Sequence, residues 1–219
     1  MIASGLARLF PDDAVAFETN AAGDPSALYP AEFEAIARAV PSRAQEFAAG
    51  RACARRALAA LGVKPVALPV RADRRPAWPA GIRGSISHTP GLCVAVAAPA
   101  SRVASVGIDV ERLGRLREDL WHLIFTAGER AVLRSRPRDA RGRDATLIFS
   151  AKEAFFKCQF ELTSTWLEFA DVEIEFDHRA FRAVPRNARE FDTRAYHGRF
   201  EHRPPFVCTG CYVETAGVR

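Results

Sequence analysis

Alternating apolar and polar positions recur along the chain and predict β-strands. The clearest stretch covers residues 103–111, where Val106, Ile108 and Val110 alternate with other residues, the period of a half-buried strand. A Thr-Pro-Gly turn joins residues 84–88 to 92–97 and predicts a hairpin. Weaker alternation predicts further strands at 15–17, 66–70, 170–176, 181–184, 194–200 and 206–213, with a turn at 187–192.

A first long helix is predicted over residues 42–61, where apolar residues follow the helical period. Ser42 and Gln45 form a capping box at its start, and Gly62 can end it. Shorter helices are predicted over 30–39 and, from a second capping box at Thr126 and Glu129, over 126–133.

A second long helix is predicted over residues 145–159, after a loop at 134–143 that is dense in arginine and aspartate. Asp144 can cap this helix. Its buried stripe follows helical spacing and consists of Leu147, Ile148, Ala151, Ala154, Phe155 and Cys158.

Each half of the chain thus combines one long helix with several strands, and the predicted fold class is α+β. We expect two similar α+β halves related by a pseudo-twofold axis, each with a long helix packed on a mainly antiparallel sheet. The predicted halves are residues 1–104 and 105–219, with the strand at 103–111 near the seam between them.

Three carboxylates are the candidate chemistry of this scaffold. Asp109 and Glu111 lie on the strand face opposite Val106, Ile108 and Val110, so two adjacent anions share one face. Such a pair is either a solvated acidic edge or a set of oxygen ligands for a hard cation such as Mg²⁺. The Ser-Ala-Lys-Glu-Ala-Phe-Phe-Lys stretch at 150–157 supplies a third carboxylate, Glu153, placed between Lys152 and Lys157.

The net charge of +5 comes mainly from arginine and predicts an anionic partner. Arg43, Arg51 and Arg55 are spaced along one side of the first long helix. This stripe is either a solvated helix face or a cationic wall for phosphate, and the local sequence does not decide between them.

The five cysteines lie mostly within apolar patterns. Cys208 and Cys211 form a C-x-x-C pair inside a strand-like run, and without a second pair at zinc spacing we interpret them as core thiols. The first ten residues lack the features of a signal peptide, and no apolar run is long enough to cross a membrane. A cytoplasmic protein is therefore expected.

Three motifs taken together are more specific than any one of them. Gly-Ser-Ile-Ser-His at 84–88, Val-Gly-Ile-Asp-Val-Glu at 106–111 and Phe-Ser-Ala-Lys-Glu at 149–153, with Lys157, occur in this order. They resemble the signature of the 4′-phosphopantetheinyl transferases, in particular the single-chain, two-lobed type found in enterobactin synthesis and in mycobacteria. The likeness covers about residues 40–170.

The resemblance implies transfer of the phosphopantetheine arm of coenzyme A to a serine of an apo acyl or peptidyl carrier protein, with release of adenosine 3′,5′-bisphosphate. It implies Mg²⁺, with Mn²⁺ as a substitute, held by Asp109, Glu111 and Glu153. It further implies catalytic roles for Glu153 as general base, directly or through a metal-bound water, and for Lys152 and Lys157 as phosphate ligands.

The same resemblance places coenzyme A against the N-terminal half, where the 3′-phosphate would be held by basic residues. The implied coenzyme A ligands are Arg43, Arg51, Arg74, Arg75, Ser87, His88, Lys152 and Lys157. The resemblance does not choose between Arg74 and Arg75. Arg55 and Arg56 are assigned to the solvated surface and Trp166 to packing. Phe156 stands near a position where the family often has tyrosine or tryptophan.

Two other function classes stay open on the sequence alone. A basic nucleic-acid-binding module would fit the charge, but the aromatic residues follow apolar stripes and do not alternate with exposed basic residues. Another Mg²⁺-dependent phosphotransferase or nuclease could use the same three acids. We expect a monomer that binds coenzyme A and a carrier protein, without nucleic acid or a membrane span.

Overall fold

Two antiparallel sheets contain the strands of the fold. The computed structural model describes residues 2–186 and 195–216. The first sheet has the order β1-β2-β4-β3. Its strands are β1 (Ile2–Ala3), β2 (Val15–Thr19), β3 (Ile82–Thr89) and β4 (Leu92–Pro99). The tight β3–β4 turn contains Gly91 at a φ of 91°, a conformation that favours glycine.

The second sheet has the order β5-β9-β8-β7-β6. Its strands are β5 (Val103–Arg112), β6 (Val172–Asp177), β7 (Ala180–Pro185), β8 (His197–Arg203) and β9 (Phe206–Glu214). Since β3 and β5 each end their own sheet, two edge strands are available at the place where the sheets meet.

Five α-helices complete the described chain. They are α1 (Pro30–Phe33), α2 (Pro41–Ala60), α3 (Trp121–Ile124), α4 (Ala127–Ser135) and α5 (Arg138–Thr163). The long helices α2 and α5 pack on the first and second sheets respectively. This arrangement confirms the predicted α+β class and gives the layer order helix, sheet, sheet, helix.

The layers explain why β4 is a nearly continuous apolar run. Val94 and Val96 pack in the core shared with Ile108 of the second sheet, whereas Ala95 and Ala97 pack under α2. A strand covered on both faces needs apolar residues at every position and does not alternate. The acidic strand β5 thus lies between the sheet-to-sheet core and α5.

Side chains of β3 bridge the two edge strands at the seam. The Ser85 and Ser87 hydroxyls accept hydrogen bonds from the backbone N–H groups of Ile108 (3.1 Å) and Val110 (3.3 Å). Arg83, on the same face of β3, donates to the Ala104 carbonyl at 2.9 Å. These bonds satisfy backbone groups that an edge strand would otherwise leave unpaired.

Several local predictions are corrected by the structure. Helix α2 begins at Pro41 with Val40 as its N-cap, and no side chain caps it, so the Ser42–Gln45 capping box is wrong. Pro41 needs no N-terminal hydrogen bond and can begin the helix. The predicted strand at 66–70 contributes only one bridge, between Val70 and Pro76.

Helix α5 also begins earlier than predicted. Most of the expected loop at 134–143 and its Asp144 cap are replaced by a helix that starts at Arg138. Asp139 lies in the first turn, where its charge favours the helix dipole. Asp144 instead pairs with Arg136 at 3.3 Å. The capping box of Thr126 and Glu129 is confirmed.

The remaining expectations concern thiols and membranes. All five cysteines are buried and free of disulfides, which confirms Cys208 and Cys211 as core thiols.

No helix in the described ranges is both long and apolar enough to cross a bilayer. The turn predicted at 187–192 lies outside the described residues, and the proposed boundary between 104 and 105 falls inside β5.

Gly107 on β5 permits the closest approach between the strand and α5. A Cβ atom at this position would lie 2.0 Å from the Ala154 carbonyl oxygen and 2.8 Å from the Cys158 backbone nitrogen. Both are backbone atoms of a buried helix, so neither can move aside alone. Glycine is required here because α5 presses directly on the strand that carries Asp109.

We expect Gly107→Ala to lower the free energy of unfolding by roughly 2–4 kcal/mol, because α5 must move away from β5. Urea unfolding followed by circular dichroism measures this loss. Gly142→Ala is the matched control, since Gly142 also lies in α5 but its Cβ would meet only Gly114 Cα, at 3.4 Å, an ordinary contact. Equal stabilities of the two variants would contradict the packing argument.

Candidate functional site

Asp109 lies at the centre of the candidate site, on the side of β5 that faces α5. Its Oδ1 atom accepts hydrogen bonds from Ser87 Oγ at 2.9 Å and from Lys157 Nζ at 2.8 Å. The residue is 3% exposed. Its Oδ2 atom is buried and has no hydrogen-bond partner among the described residues. A buried carboxylate oxygen without a partner is costly unless it serves a ligand.

Ser87 is buried beneath this carboxylate and holds it. The hydroxyl donates to Asp109 and accepts from the Val110 N–H, so it links β3 to β5 at the site. Its 6% exposure leaves little room for a direct contact with coenzyme A. These contacts support a positioning role for Ser87, and its predicted contact with coenzyme A stays a prediction.

Lys157 extends from α5 to the same point. Besides Asp109, its ammonium donates to the Ile108 carbonyl at 3.0 Å and to Ser87 Oγ at 3.3 Å. Burial lowers the pKa of this lysine, but Asp109, Glu153 and Glu111 together raise it above its ordinary value. The Lys157 side chain is 30% exposed, so its ammonium group is held in place and is still accessible to a ligand.

Glu111 and Glu153 complete the acidic group. Burial, followed by the charge of Asp109, raises the pKa of Glu111 to about 7. Burial and then Asp109 raise the pKa of Glu153, against the opposing effect of Lys157. The negative charge of Asp109 therefore acts on both glutamates, and the single positive charge of Lys157 does not neutralise the three acids.

These carboxylates fit a hard divalent cation by the chemistry of their donors. In the described parts of the chain, no three His, Cys, Asp or Glu side chains are already arranged to hold a metal ion. A bound cation would give the partnerless Oδ2 of Asp109 a ligand, and it would stabilise the ionised forms of Glu111 and Glu153, whose pKa values are raised by burial and by Asp109.

Arg43 and His88 form the cationic side of the site. Arg43 Nη1 contacts His88 Nε2, and His88 Nδ1 lies 3.4 Å from Glu46 Oε2. Burial and then the Arg43 charge lower the pKa of His88. The Arg43 side chain is half exposed. The structure brings His88 near Lys157 and Asp109, whose charges also act on it.

Arg51 lies deeper than the sequence suggested. Its Nε atom donates to the Leu68 carbonyl at 2.7 Å and lies 3.9 Å from Glu32 Oε1. Burial lowers its pKa to about 10. At 4% exposure Arg51 braces α2 against the segment around Leu68, so a direct phosphate contact is not its main role.

Arg55 is not part of a solvated helix face, which corrects its assignment. Its Nη1 atom donates to both carboxylate oxygens of Glu32, at 3.1 and 3.0 Å. Glu32 is completely buried and also accepts from the Leu68 and Tyr29 N–H groups. This buried carboxylate therefore organises the N-terminal half behind the cationic side.

Lys152 does not reach the site, and its prediction as a catalytic phosphate ligand is wrong. The side chain is fully buried, and Nζ donates to the carbonyls of Ile124, Phe169 and Val172 at 3.0, 2.7 and 2.7 Å. It also pairs with Glu129 at 2.7 Å. Burial lowers the pKa of Lys152 although Glu129 opposes this effect. Lys152 thus ties α3, α4 and β6 to α5.

A cavity of about 410 Å³ runs along α5 beside the acids. Glu153, Phe156, Lys157, Phe160 and Glu161 line it, a span of about 12 Å at the helical rise. Much of the remaining wall is apolar, and two further wall residues, Leu167 and Phe169, follow α5. An extended, largely apolar chain with a charged end would suit this shape.

Two wall residues differ from expectation. Trp166, predicted to pack and not to contact a ligand, is 79% exposed at the cavity rim, where its ring lies nearly perpendicular to that of Phe160. Of the two arginines on the loop, Arg75 pairs with Asp73 and Glu161, whereas Arg74 is exposed on the cavity wall. Ser85 also lines the cavity but was not among the predicted site residues, although it alternates with Ser87 on one face of β3.

Lys152→Met is expected to lower the free energy of unfolding by about 3–5 kcal/mol, because Glu129 would remain buried without its cation. Urea unfolding of the ligand-free protein measures the loss, with the exposed Lys64→Met as control. If Lys152→Met left the stability unchanged and weakened the binding of a phosphate ligand, the prediction of Lys152 as a phosphate ligand would be restored.

Glu111 gives the ligand-free protein a predictable dependence on pH. Its folded pKa of about 7 exceeds the ordinary value of 4.5, so the folded state holds the proton over that interval while the unfolded state loses it. Stability should therefore fall as pH rises from 4.5 through 7.

The measurement is thermal unfolding against pH in EDTA, for wild type and Glu111→Gln. The stability of the variant relative to wild type should rise as pH rises from 4.5 through about 7, because the variant has no carboxylate to ionise. Titrating groups remote from Glu111 are common to both proteins and cancel in the difference, which reports Glu111 together with the charges coupled to it. Parallel curves would show that Glu111 does not carry the effect.

Two family models match successive parts of the chain. The 4′-phosphopantetheinyl transferase N-terminal domain matches residues 31–98, and the 4′-phosphopantetheinyl transferase superfamily model matches residues 105–211. The second match contains the three acids and Lys157, and the first contains Arg43 and His88.

Curated relatives agree with these models. The chain is 41% identical to 4′-phosphopantetheinyl transferase Svp of Streptomyces mobaraensis, over 78% of this chain and 72% of that protein. It is 40% identical to 4′-phosphopantetheinyl transferase PptT of Mycobacterium tuberculosis, over 70% and 68%. It is 34% identical to enterobactin synthase component D of Salmonella typhi, over 65% and 59%.

Among solved structures, a holo-(acyl-carrier-protein) synthase from Bacillus anthracis in complex with CoA (3′,5′-ADP) aligns with a TM-score of 0.43 at 22% identity. It covers 52% of this chain and 99% of that chain. The family models and the curated relatives carry the assignment without it: the chain belongs to the 4′-phosphopantetheinyl transferase superfamily and resembles its enterobactin-synthase and mycobacterial members.

Proposed function

We propose that this protein transfers the 4′-phosphopantetheine arm of coenzyme A to a serine hydroxyl of an apo carrier protein. The observation that carries the proposal is the buried Asp109, held by Ser87 and Lys157, with Glu111 and Glu153 beside it and an apolar cavity along α5. A pyrophosphate could meet the charged end of this cavity while a pantetheine arm lies along its wall.

Asp109, Glu111 and Glu153 would hold Mg²⁺, or Mn²⁺ in its place. When bound, the cation supplies positive charge for the pyrophosphate and its leaving group. The unpartnered Oδ2 of Asp109 supports this assignment, since the hydrogen bonds from Ser87 and Lys157 both go to Oδ1 and leave Oδ2 for a ligand.

Lys157 would bind an oxygen of the pyrophosphate. Its contacts with the Ile108 carbonyl and Asp109 hold the ammonium in place before substrate arrives. Such preorganisation makes a charge effective in a partly buried site, because no reorientation is needed during the reaction.

Glu153 would accept the proton of the carrier serine as the hydroxyl attacks the β-phosphorus. The bond that forms joins the serine oxygen to that phosphorus, and the bond that breaks releases adenosine 3′,5′-bisphosphate. Burial and Asp109 raise the pKa of Glu153. A raised pKa makes the carboxylate a better base than an exposed glutamate.

Arg43, His88 and Arg74 would hold the phosphate groups at the edge of the site. Arg43 and His88 are in contact and partly exposed, and Arg74 is exposed on the loop beside the cavity. Arg51 contributes positive charge from beneath. We further propose that the protein acts as a cytoplasmic monomer on a carrier whose serine is flanked by negative charge.

The test is intact-protein mass spectrometry of an apo carrier incubated with this protein, coenzyme A and Mg²⁺. We expect the carrier to gain one phosphopantetheine arm, and EDTA to prevent the gain. Asp109→Asn and Glu153→Gln should each slow transfer at least about 100-fold, because ligands and base are lost.

Glu175→Gln is the control, an exposed carboxylate on β6 that pairs with Arg182 outside the cavity. Near-normal transfer by either site variant, with the fold intact by circular dichroism, would contradict the assignment of the acids. Stabilisation of this protein by an oligonucleotide but not by coenzyme A would favour the hypothesis of a nucleic-acid-binding module instead.

A further inference from the structure

Arg75 is held by carboxylates on two separate segments of the chain. Its Nη2 lies 2.6 Å from Asp73 Oδ2 on its own loop, and its Nη1 lies 2.6 Å from Glu161 Oε2 near the end of α5. Nη1 also donates to the Phe160 carbonyl at 3.4 Å, and the guanidinium carbon lies 4.9 Å from the centre of the Phe160 ring.

The loop that carries Arg75 is shaped for this contact. The Arg71 N–H donates to the Arg75 carbonyl, and the Arg74 N–H donates to the Arg71 carbonyl, each at 2.8 Å. Arg74 takes a φ of 70°, a strained value for arginine that the turn imposes. The neighbouring residues Arg74 and Arg75 therefore have different surroundings: Arg74 is exposed, and Arg75 is paired with two carboxylates.

Both sides of the contact are walls of the same cavity. Asp73, Arg75 and Pro76 line it from the loop before β3, and Phe160 and Glu161 line it from α5. Arg75 therefore joins the wall supplied by the N-terminal half to the wall supplied by the C-terminal half. Phe160 in turn supports the exposed Trp166.

We propose that Arg75 is a positioning residue, which clasps the loop at 71–76 to the end of α5 and thereby sets the affinity of the cavity for the pantetheine arm. This inference rests on the proposed function. It departs from the expectation that Arg75 contacts phosphate, because a guanidinium between two carboxylates offers a phosphate little net charge.

The clasp should act on binding and not on the chemical step. Within the described residues, the hydrogen bonds of Asp109 and Lys157 involve neither Asp73 nor Arg75, and Glu161 lies about two helical turns beyond Glu153. Release of the loop would loosen one wall of the cavity while the acids and Lys157 stay in place.

The experiment compares Arg75→Gln, Glu161→Gln and the double variant by steady-state transfer from coenzyme A and from 3′-dephospho-coenzyme A. We expect each single variant to raise KM for both substrates by about three- to fivefold, with kcat unchanged. The double variant should resemble either single one, because both substitutions open the same clasp.

A direct phosphate contact predicts a different pattern. Arg75→Gln would then weaken only the substrate that carries the 3′-phosphate, and Glu161→Gln would lower KM by freeing the arginine. Either result would overturn the clasp. Arg182→Gln is the matched control, since its pair with Glu175 has the same 2.6 Å length but lies outside the cavity.

Urea unfolding of ligand-free wild type, the two single variants and the double variant forms a double-mutant cycle. This cycle tests the Arg75–Glu161 contact independently of transfer activity. Non-additive effects, with a coupling of about threefold in the unfolding constant, would support it, and additive effects would overturn it. A wild type that fails to transfer to any carrier would overturn the proposed function, while this cycle would still decide the clasp.

Discussion

The contact of Asp109 with Ser87 and Lys157 is the interaction on which the site depends. It joins three elements, β5, β3 and α5, that come from both halves of the chain. Gly107 lets α5 approach β5, and the β3 serines hold the two edge strands together. Packing at Gly107 thus brings α5 close to β5, and this close approach places Lys157 of α5 against the Asp109 carboxylate.

Burial separates the two lysines of one motif into different roles. Lys152 lies inside the protein, where three carbonyls and Glu129 use its protons. Lys157, little more than one helical turn later, reaches the cavity and stays accessible. The same reasoning divides Arg74 from Arg75, since one lies exposed beside the cavity and the other is paired twice.

The class of fold and the order of the motifs could be predicted because strand alternation and helix spacing are local signals. The depth of individual side chains could not, since it depends on which elements pack together. Arg51 and Lys152 look like exposed cations in the sequence, and the structure buries both. The early start of α5 was missed for a related reason, because its arginine-rich first turns have no buried stripe to indicate a helix.

The proposed mechanism requires the three acids at the seam to hold a divalent cation next to coenzyme A. Anomalous diffraction from crystals grown with coenzyme A and Mn²⁺ would locate that cation. We expect one anomalous peak within coordination distance of Asp109, Glu111 and Glu153, with the pyrophosphate as a further ligand. Ordered coenzyme A in the cavity, with no peak at these carboxylates or with the peak elsewhere, would contradict it.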